Sequence, residues 1–442
     1  MISEYLSVKN KYYLNGFDWV MGSIDLIMKN TTCAGNASQI VFMLDAPPDE
    51  ALVREALGRF LRLFPVINGS VSRHWTLTPY WKMPGKSEER PVPLTVTRLD
   101  AASAQSKVLA ALTDLINTPF TSKSDHLAFH LVYGKNEQCL ALTFDHRLFD
   151  ARGAESFVGL FQKFLASNYD PAVAADIRLT QGFDLTGWKS KFLAGQAVNR
   201  KVLALSQSAM RTMPIHLNGG APGFRYRVIA FDREETKRIT NTAFDEAGYL
   251  MLLPYLFSRV AEGLHRLFER RGAPSGAYVV PVSTDMRTAK DIREEIFFNH
   301  NSMFFFQIKP EDLGDRKRLA ASIRGQWYDQ IQNKFPQKLL AASALMRIAP
   351  LPFLKRFLRL PLGGNIASFC FSHVSKDSFV SADLLGARIV NMFHMPRTPV
   401  PPGIGVFFNT YGERLNATIS CLDGLFTGDE LDMLEEDLRG SL

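Results

Sequence analysis

Cysteine is scarce in this chain. The four present, Cys33, Cys139, Cys370 and Cys421, stand far apart and share no metal-ligand or redox spacing. That excludes a disulfide framework, suits reduced thiols in a cytoplasmic compartment, and leaves all four as structural residues. Long uncharged apolar runs are also missing, so no segment reads as a membrane span. The stretch from Met1 to Lys11 has charges and tyrosines in place of a basic start and an apolar core, so it does not read as a secretory signal. No sequence repeat or low-complexity segment is present, although the two halves have a similar texture.

Acidic residues are absent from two stretches, Leu185 to Ala230 and Gln330 to Lys376. In the first, Lys189, Lys191, Arg200, Lys201 and Arg211 lie among Trp188, Phe192, Leu193, Val202 and Leu203, the pattern of a linker helix with a basic face. In the second, Lys338, Arg347, Lys355, Arg356 and Arg359 are scattered through Leu339, Leu345, Phe353, Leu354, Phe357 and Leu360. Such a basic amphipathic segment can lie in a membrane interface, where each Lys or Arg contributes about 1 kcal/mol at an anionic surface. It can equally be a core-packed helix pair broken at Pro350 and Pro352, and the sequence leaves both readings open.

With 442 residues the chain exceeds one ordinary core, and its length favours two domains or three. A hydrophobic content of 46% with 21% charged residues is that of a soluble globular protein. The net charge of +7 points to an anionic partner: a phosphorylated cofactor, an acidic carrier protein, a membrane surface or nucleic acid. Nucleic acid fits least, because the basic residues are mixed with buried-looking leucines rather than set in a stripe with exposed aromatics.

Periodicity divides the chain into an α/β series at 1–172, a basic linker at 173–222 and a second α/β series at 223–442. In the first series, a strand over 37–45 leads into Pro47-Pro48-Asp49-Glu50, which has the prolines and acids of a helix start. That helix runs to about Leu63 on a stripe of Leu52, Val53, Leu57, Phe60 and Leu61. Phe64-Pro65-Val66 breaks it before a short strand at 70–72. A helix over 102–116, the turn Asn117-Thr118-Pro119-Phe120 and strands at 127–133 and 138–144 follow. The second series gives strands at 225–231, 277–282, 302–308, 366–371, 404–410 and 416–421. Its helices fall at 233–244, 250–268 and 428–438, the last with a capping signal at Thr427 and Glu430.

One turn places a histidine where chemistry can happen. The apolar run Leu140 to Phe144 suits a buried strand, Asp145-His146-Arg147 ends it, and Phe157, Leu160, Phe161 and Phe164 then repeat at helical spacing. His146 therefore sits in the connection, near a helix N-terminus whose N–H groups suit developing negative charge. A histidine there, with an ordinary pKa of about 6.5, can take a proton from a hydroxyl or amine attacking a carbonyl. Asp150 suits an N-cap or a salt bridge that fixes the turn. Among nine histidines a following Asp at this spacing arises readily by chance, and a polar loop residue is the plain alternative.

The order of strand, proline-rich helix start, Phe-Pro-Val break, Asn-Thr-Pro-Phe turn and His146-x-x-x-Asp150 resembles the CoA-dependent acyltransferase superfamily over nearly the whole chain. That superfamily spans chloramphenicol acetyltransferases, plant hydroxycinnamoyl-type acyltransferases, peptide-synthetase condensation domains and bacterial wax ester synthases. Val280 to Arg287 resembles the strand whose arginine pairs with the motif aspartate, and Phe297 to Ser302 resembles the following Gly-Asn turn. Phe371-Ser372-His373-Val374 stands where the wax ester synthases have Ser-Asn-Val, and Gly403 to Asn409 with Tyr411-Gly412 is similar to their closing strand.

The resemblance implies two chloramphenicol-acetyltransferase-like domains, each a mixed sheet with helices, meeting at a substrate tunnel. It makes His146 the general base and Asp150 the partner of Arg287. Asn301, Ser372 and His373, with backbone N–H groups after Asp150, are the candidate oxyanion or substrate contacts. It implies no metal and no resident cofactor, with acyl-CoA as co-substrate and a small-molecule or lipid acceptor. A carrier-protein-bound donor, as in condensation domains, is the alternative, and a non-catalytic binding protein is a third reading. Localisation is expected to be cytoplasmic, with peripheral contact at the inner membrane face as an option. Three departures from the family pattern stand out: Asp145 replaces the first His of His-His-x-x-x-Asp-Gly, Ala151 replaces its Gly, and His300 replaces the glycine before Asn301. The Asp-Phe-Gly-Trp-Gly stretch of the plant branch is absent.

Overall fold

The computed structural model of the protein describes all residues except 1–10, 86–89, 100–104, 136, 180–186, 216–219, 249–250, 289 and 375–380. The expected helix starts at Ala102 and Leu250, and the N-terminal stretch before Lys11, lie outside the described residues. Two six-stranded mixed sheets carry the fold. Their strands are β1 (Ala37–Leu44), β2 (Leu94–Arg98), β3 (Leu127–Tyr133), β4 (Gln138–Asp145), β5 (Phe224–Ala230) and β6 (Tyr278–Asp285). They continue with β7 (Asn301–Ile308), β8 (Cys370–Val374), β9 (Asp383–Leu384), β10 (Ala387–Pro396), β11 (Ile404–Tyr411) and β12 (Arg414–Leu422).

The first sheet has the order β9-β10-β1-β4-β3-β2 and the second β7-β6-β8-β11-β12-β5. Sheet membership thus departs from a division of the chain at 222/223. β9 and β10 belong by sequence to the second series, yet β10 pairs antiparallel with β1, setting His394 opposite Ile40 and Pro396 opposite Ser38. The sequence expectation contained no strand there, because Asn391, His394 and Pro396 interrupt the apolar alternation that marks one.

The expected strands at 127–133 and 138–144 are β3 and β4, and each is buried on both faces, one of them covered by α3 (Gln105–Asn117). On the other face Phe144, Leu142 and Leu140 meet α2 (Glu50–Leu61) and α4 (Ala151–Ala166). Phe60 of α2 lies between Phe64, Phe157, Phe161 and Phe164 at ring separations of 5.1 to 5.5 Å. Phe157 also meets Phe149 at 5.1 Å and Phe297 at 5.9 Å, so this cluster reaches from the helix face to the segment before β7. The second sheet is covered by α6 (Arg233–Ala247), α7 (Leu252–Arg270) and α11 (Gly428–Ser441).

Two further helices pack on α1 (Gly16–Thr31), a helix the sequence reading does not contain: α9 (Phe335–Met346) and α10 (Leu351–Arg359), and α5 (Trp188–Ser206) joins them through α9. α8 (Arg316–Gln332) precedes α9. α9 packs on both α5 and α1, so the 173–222 segment holds a docked helix as well as connections. The basic stretch is therefore helical over 335–346 and 351–359, broken at Pro350, and its α9 part is core-packed, with Phe335, Leu339 and Ala342 buried.

The two sheets are joined through side-chain amides. Asn391 and Asn416 exchange hydrogen bonds of 2.8 and 3.1 Å, and Asn409 Nδ2 donates to the Met392 carbonyl at 2.8 Å. Because Phe157 is fully buried against the rings of Phe60, Phe149 and Phe297, Phe157→Ala is expected to cost about 3–5 kcal/mol of stability. Urea denaturation measures this; a loss below about 1 kcal/mol would show that the cluster repacks.

Candidate active site

β4 ends at Asp145, whose buried carboxylate accepts from His126 Nδ1 at 3.0 Å and from the Arg147 guanidinium. Burial alone would raise its pKa, but Arg147 and His126 hold the carboxyl well below the ordinary range. Arg147 also lies 3.5 Å from Asp25 of α1. The residue that departs from the family pattern is thus an anchor for the turn, with its charge turned into the protein and away from the histidine.

The next residue, His146, is held by its backbone on both sides. Its N–H donates to the Asn36 carbonyl at 2.8 Å, and its carbonyl accepts from Asn299 Nδ2 at 3.0 Å. The imidazole lines a cavity of about 1190 Å³. Its Nδ1 is buried and has no hydrogen-bond partner among the described residues, so Nε2 is the nitrogen left to meet a substrate.

Asp150 caps α4, accepting from Gly153 N–H at 2.8 Å. Its other contacts come from the second half of the chain: Arg287 Nη2 at 2.7 Å and the His300 N–H at 3.1 Å. Burial opposes its ionisation, and Arg287, His300 and the Gly153 amide outweigh burial, so the carboxyl lies below its ordinary value. Arg287 is buried too and further bonded to Asp285 and to the Glu295 carbonyl. Gly153 permits the close approach of the two halves here, since a Cβ would lie 2.2 Å from the Ile296 carbonyl oxygen. Asp150 therefore works as support and does not line the cavity.

Phe298 stands in the left-handed region with φ of 70°, a cost of roughly 1–2 kcal/mol for a residue other than glycine. Its ring stacks on Tyr12 at 4.0 Å and meets Trp81 edge-on at 5.5 Å, and its N–H donates to the Leu148 carbonyl at 2.6 Å. That twist delivers Asn299, whose N–H meets Asp18 at 3.0 Å while its side chain reaches His146. Burial raises Asp18 to about 6, against the amides of Asn299 and Asn15 that favour its ionised form. Asn299 and Asp18 escaped the sequence reading: Asn299 lay inside a segment read only as a turn, and Asp18 lay in a helix that was not read.

The structure brings Asn301, Ser372 and His373 to the same cavity as His146. Asn301 opens β7, and Ser372 Oγ lies 3.3 Å from Ser283 Oγ on β6. Neither ring nitrogen of His373 has a hydrogen-bond partner among the described residues, and burial, helped by Arg152, pushes its pKa down to about 4. It is neutral near pH 7 and can donate or accept one hydrogen bond. Of the amides after Asp150, that of Gly153 is committed to the Asp150 carboxylate and that of Ala154 to its carbonyl. Ala151 lines the cavity, as does His394, whose Nε2 bonds Glu155 at 2.7 Å. His300 directs its Nε2 to the Phe297 carbonyl at 3.0 Å, bracing its own turn. Beyond the polar end the cavity is apolar, lined by Phe17, Met21, Ile24, Val198, Leu339 and Phe357 among others.

Two covered sheets, joined by an exchanged strand around one cavity, form the two-domain fold shared by chloramphenicol-acetyltransferase-like acyltransferases and condensation domains. Solved structures bear this out. The first condensation domain of the calcium-dependent antibiotic synthetase, in complex with a substrate analogue, superposes with a TM-score of 0.67 at 13% identity, over 98% of this chain and 95% of that one. A trichothecene 15-O-acetyltransferase from Fusarium sporotrichioides gives 0.67 at 14%, over 98% and 95%. The EpoB cyclization-docking bidomain from Sorangium cellulosum gives 0.66 at 13%, over 97% and 83%. No family model and no curated protein matches the sequence.

Asp150→Asn is expected to destabilise the protein by up to about 3–5 kcal/mol, since it removes one of the two carboxylates, with Asp285, that balance the buried Arg287. A carboxyl held below its unfolded value stabilises the fold above that value, about pH 4, and this part is lost as pH falls through the folded pKa. Asp150→Asn should therefore flatten the acid limb of the stability curve, and an unchanged limb in urea denaturation at graded pH would contradict the assignment.

Proposed function

We propose that the chain is an acyltransferase that moves an acyl group from a thioester to an acceptor hydroxyl or amine, with His146 as general base. The supporting observation is the placement of His146: a strand end pinned by Asn36 and Asn299, with the imidazole on a cavity wall built from both halves of the chain. In this reading Nε2 takes the acceptor proton as the acceptor oxygen or nitrogen attacks the thioester carbonyl. The C–O or C–N bond forms, the carbonyl electron pair moves to oxygen, and on collapse the C–S bond breaks. The imidazolium then returns its proton to the leaving thiolate. Asn301 and Ser372 are the proposed donors to the oxyanion, and neutral His373 is a proposed contact for the acceptor. Asp150 and Arg287 hold the turn.

The donor proposed first is acyl-CoA, whose phosphates suit the positive charge balance of the chain. A carrier-protein-bound thioester is the second reading, supported by the likeness to condensation domains. Incubation with a mixed acyl-CoA pool and, separately, with acyl-loaded carrier protein, followed by mass spectrometry of products, distinguishes them. His146→Ala is expected to lower kcat/KM by about 10²–10⁴ with the urea midpoint unchanged. Full retention of transfer by that variant would overturn the mechanism, and absence of turnover with every donor would favour a binding protein.

A further inference from the structure

α10 presents more apolar surface than its neighbours cover. Its Leu351, Leu354 and Leu358 face inward onto the first core. A second stripe at i, i+4 and i+7, Phe353, Phe357 and Leu360, faces outward with exposures of 63%, 52% and 68%. Together the two stripes occupy roughly half of the helix circumference, and Lys355, Arg356 and Arg359 fill the arc beside them. The exposed surface continues at both ends. Arg73 Nη2 bonds the carbonyl of exposed Ile348 at 2.7 Å, which brings up a hairpin whose Trp75 is 85% exposed. At the other end α5, with exposed Trp188 and Phe192, touches the turn Leu360–Leu362. Isolated exposed apolar side chains are ordinary, but a connected set of large ones marks an interaction surface.

We propose that this face docks on an anionic lipid surface and opens the cavity to a lipid-borne chain. Charge selects the occupant, since no acidic residue occurs from Gln330 to Lys376 or from Leu185 to Ala230, the stretches that carry α10 and α5. Continuity with the cavity gives the docking a purpose. Phe357 of this face, with Pro361 and Leu362 of the adjoining turn, also lines the cavity, whose apolar part then leads to His146. No helix among the described residues is long and apolar enough to cross a membrane, so the contact is interfacial, with aromatic rings at headgroup depth and basic groups on lipid phosphates. Delivery of a chain to His146 rests on the acyltransferase reading, whereas the docking does not.

Sedimentation of the whole protein with phosphatidylcholine vesicles, with and without phosphatidylglycerol, tests the proposal. The wild type is expected to bind the phosphatidylglycerol vesicles, less so as salt is raised, with a blue shift of tryptophan emission. The triple variant Phe353→Ser, Phe357→Ser, Leu360→Ser should bind at least about tenfold more weakly at an unchanged unfolding midpoint. Lys355→Glu with Arg356→Glu should weaken binding to the anionic vesicles alone. Wild-type protein that leaves both vesicles untouched, or a triple variant that binds as wild type, would overturn the proposal. So would loss of transfer from a carrier-bound donor in the triple variant of a protein that ignores vesicles, because the face would then be a protein-docking surface. His146→Ala protein should still bind vesicles, which separates failure of docking from failure of acyl transfer.

Discussion

The carboxylate of Asp150 is the point on which the molecule depends. It begins a helix in the first half and accepts two hydrogen bonds from the second half, one from the Arg287 guanidinium and one from the His300 backbone. A buried ion pair of this kind adds little net stability over an apolar contact of the same shape, because both charges are stripped of water. Its value is in geometry. An apolar contact tolerates sliding, whereas a carboxylate shared among three fixed donors has one good position. The histidine four residues upstream inherits that position through a short turn, which Asn299 closes from the same second-half segment.

Around this point the charges are arranged in two layers. Asp145, Arg147, His126 and Asp25 form a polar group behind the strand end, while Asp150, Arg287 and Asp285 form another beneath the helix start. His146 lies between them, with no ion-pair partner among the described residues. The imidazole is thus set among rigid supports at the polar end of the cavity.

Much of this could be read from the sequence, for local reasons. β3, β4 and α4 follow from an apolar run, a charged break and a change of period, all within neighbouring residues. The pairing of Asp150 with Arg287 came only through the family resemblance, since no local pattern links residues 137 apart. What escaped reading was set by tertiary packing. α1 carries Asp18 and Asp25, which are polar in sequence and buried in the fold, so its apolar periodicity is blurred. β10 has polar residues on a strand whose two faces meet another sheet and a helix. Asn299 carries no local signal, because the left-handed backbone at Phe298 is what turns its amide toward His146.

The exchanged strand also decides how the chain can come to its native state. β1, buried along nearly its whole length, takes one neighbour, β4, from within the first 145 residues and the other, β10, from residues 387–396. Until the second half has been made and folded, the first presents an open apolar strand edge, a template for pairing with another chain. During synthesis that edge waits for more than half of the polypeptide. The two halves are therefore one cooperative unit, whatever the symmetry of their architecture suggests, and a first half released alone would be prone to aggregate.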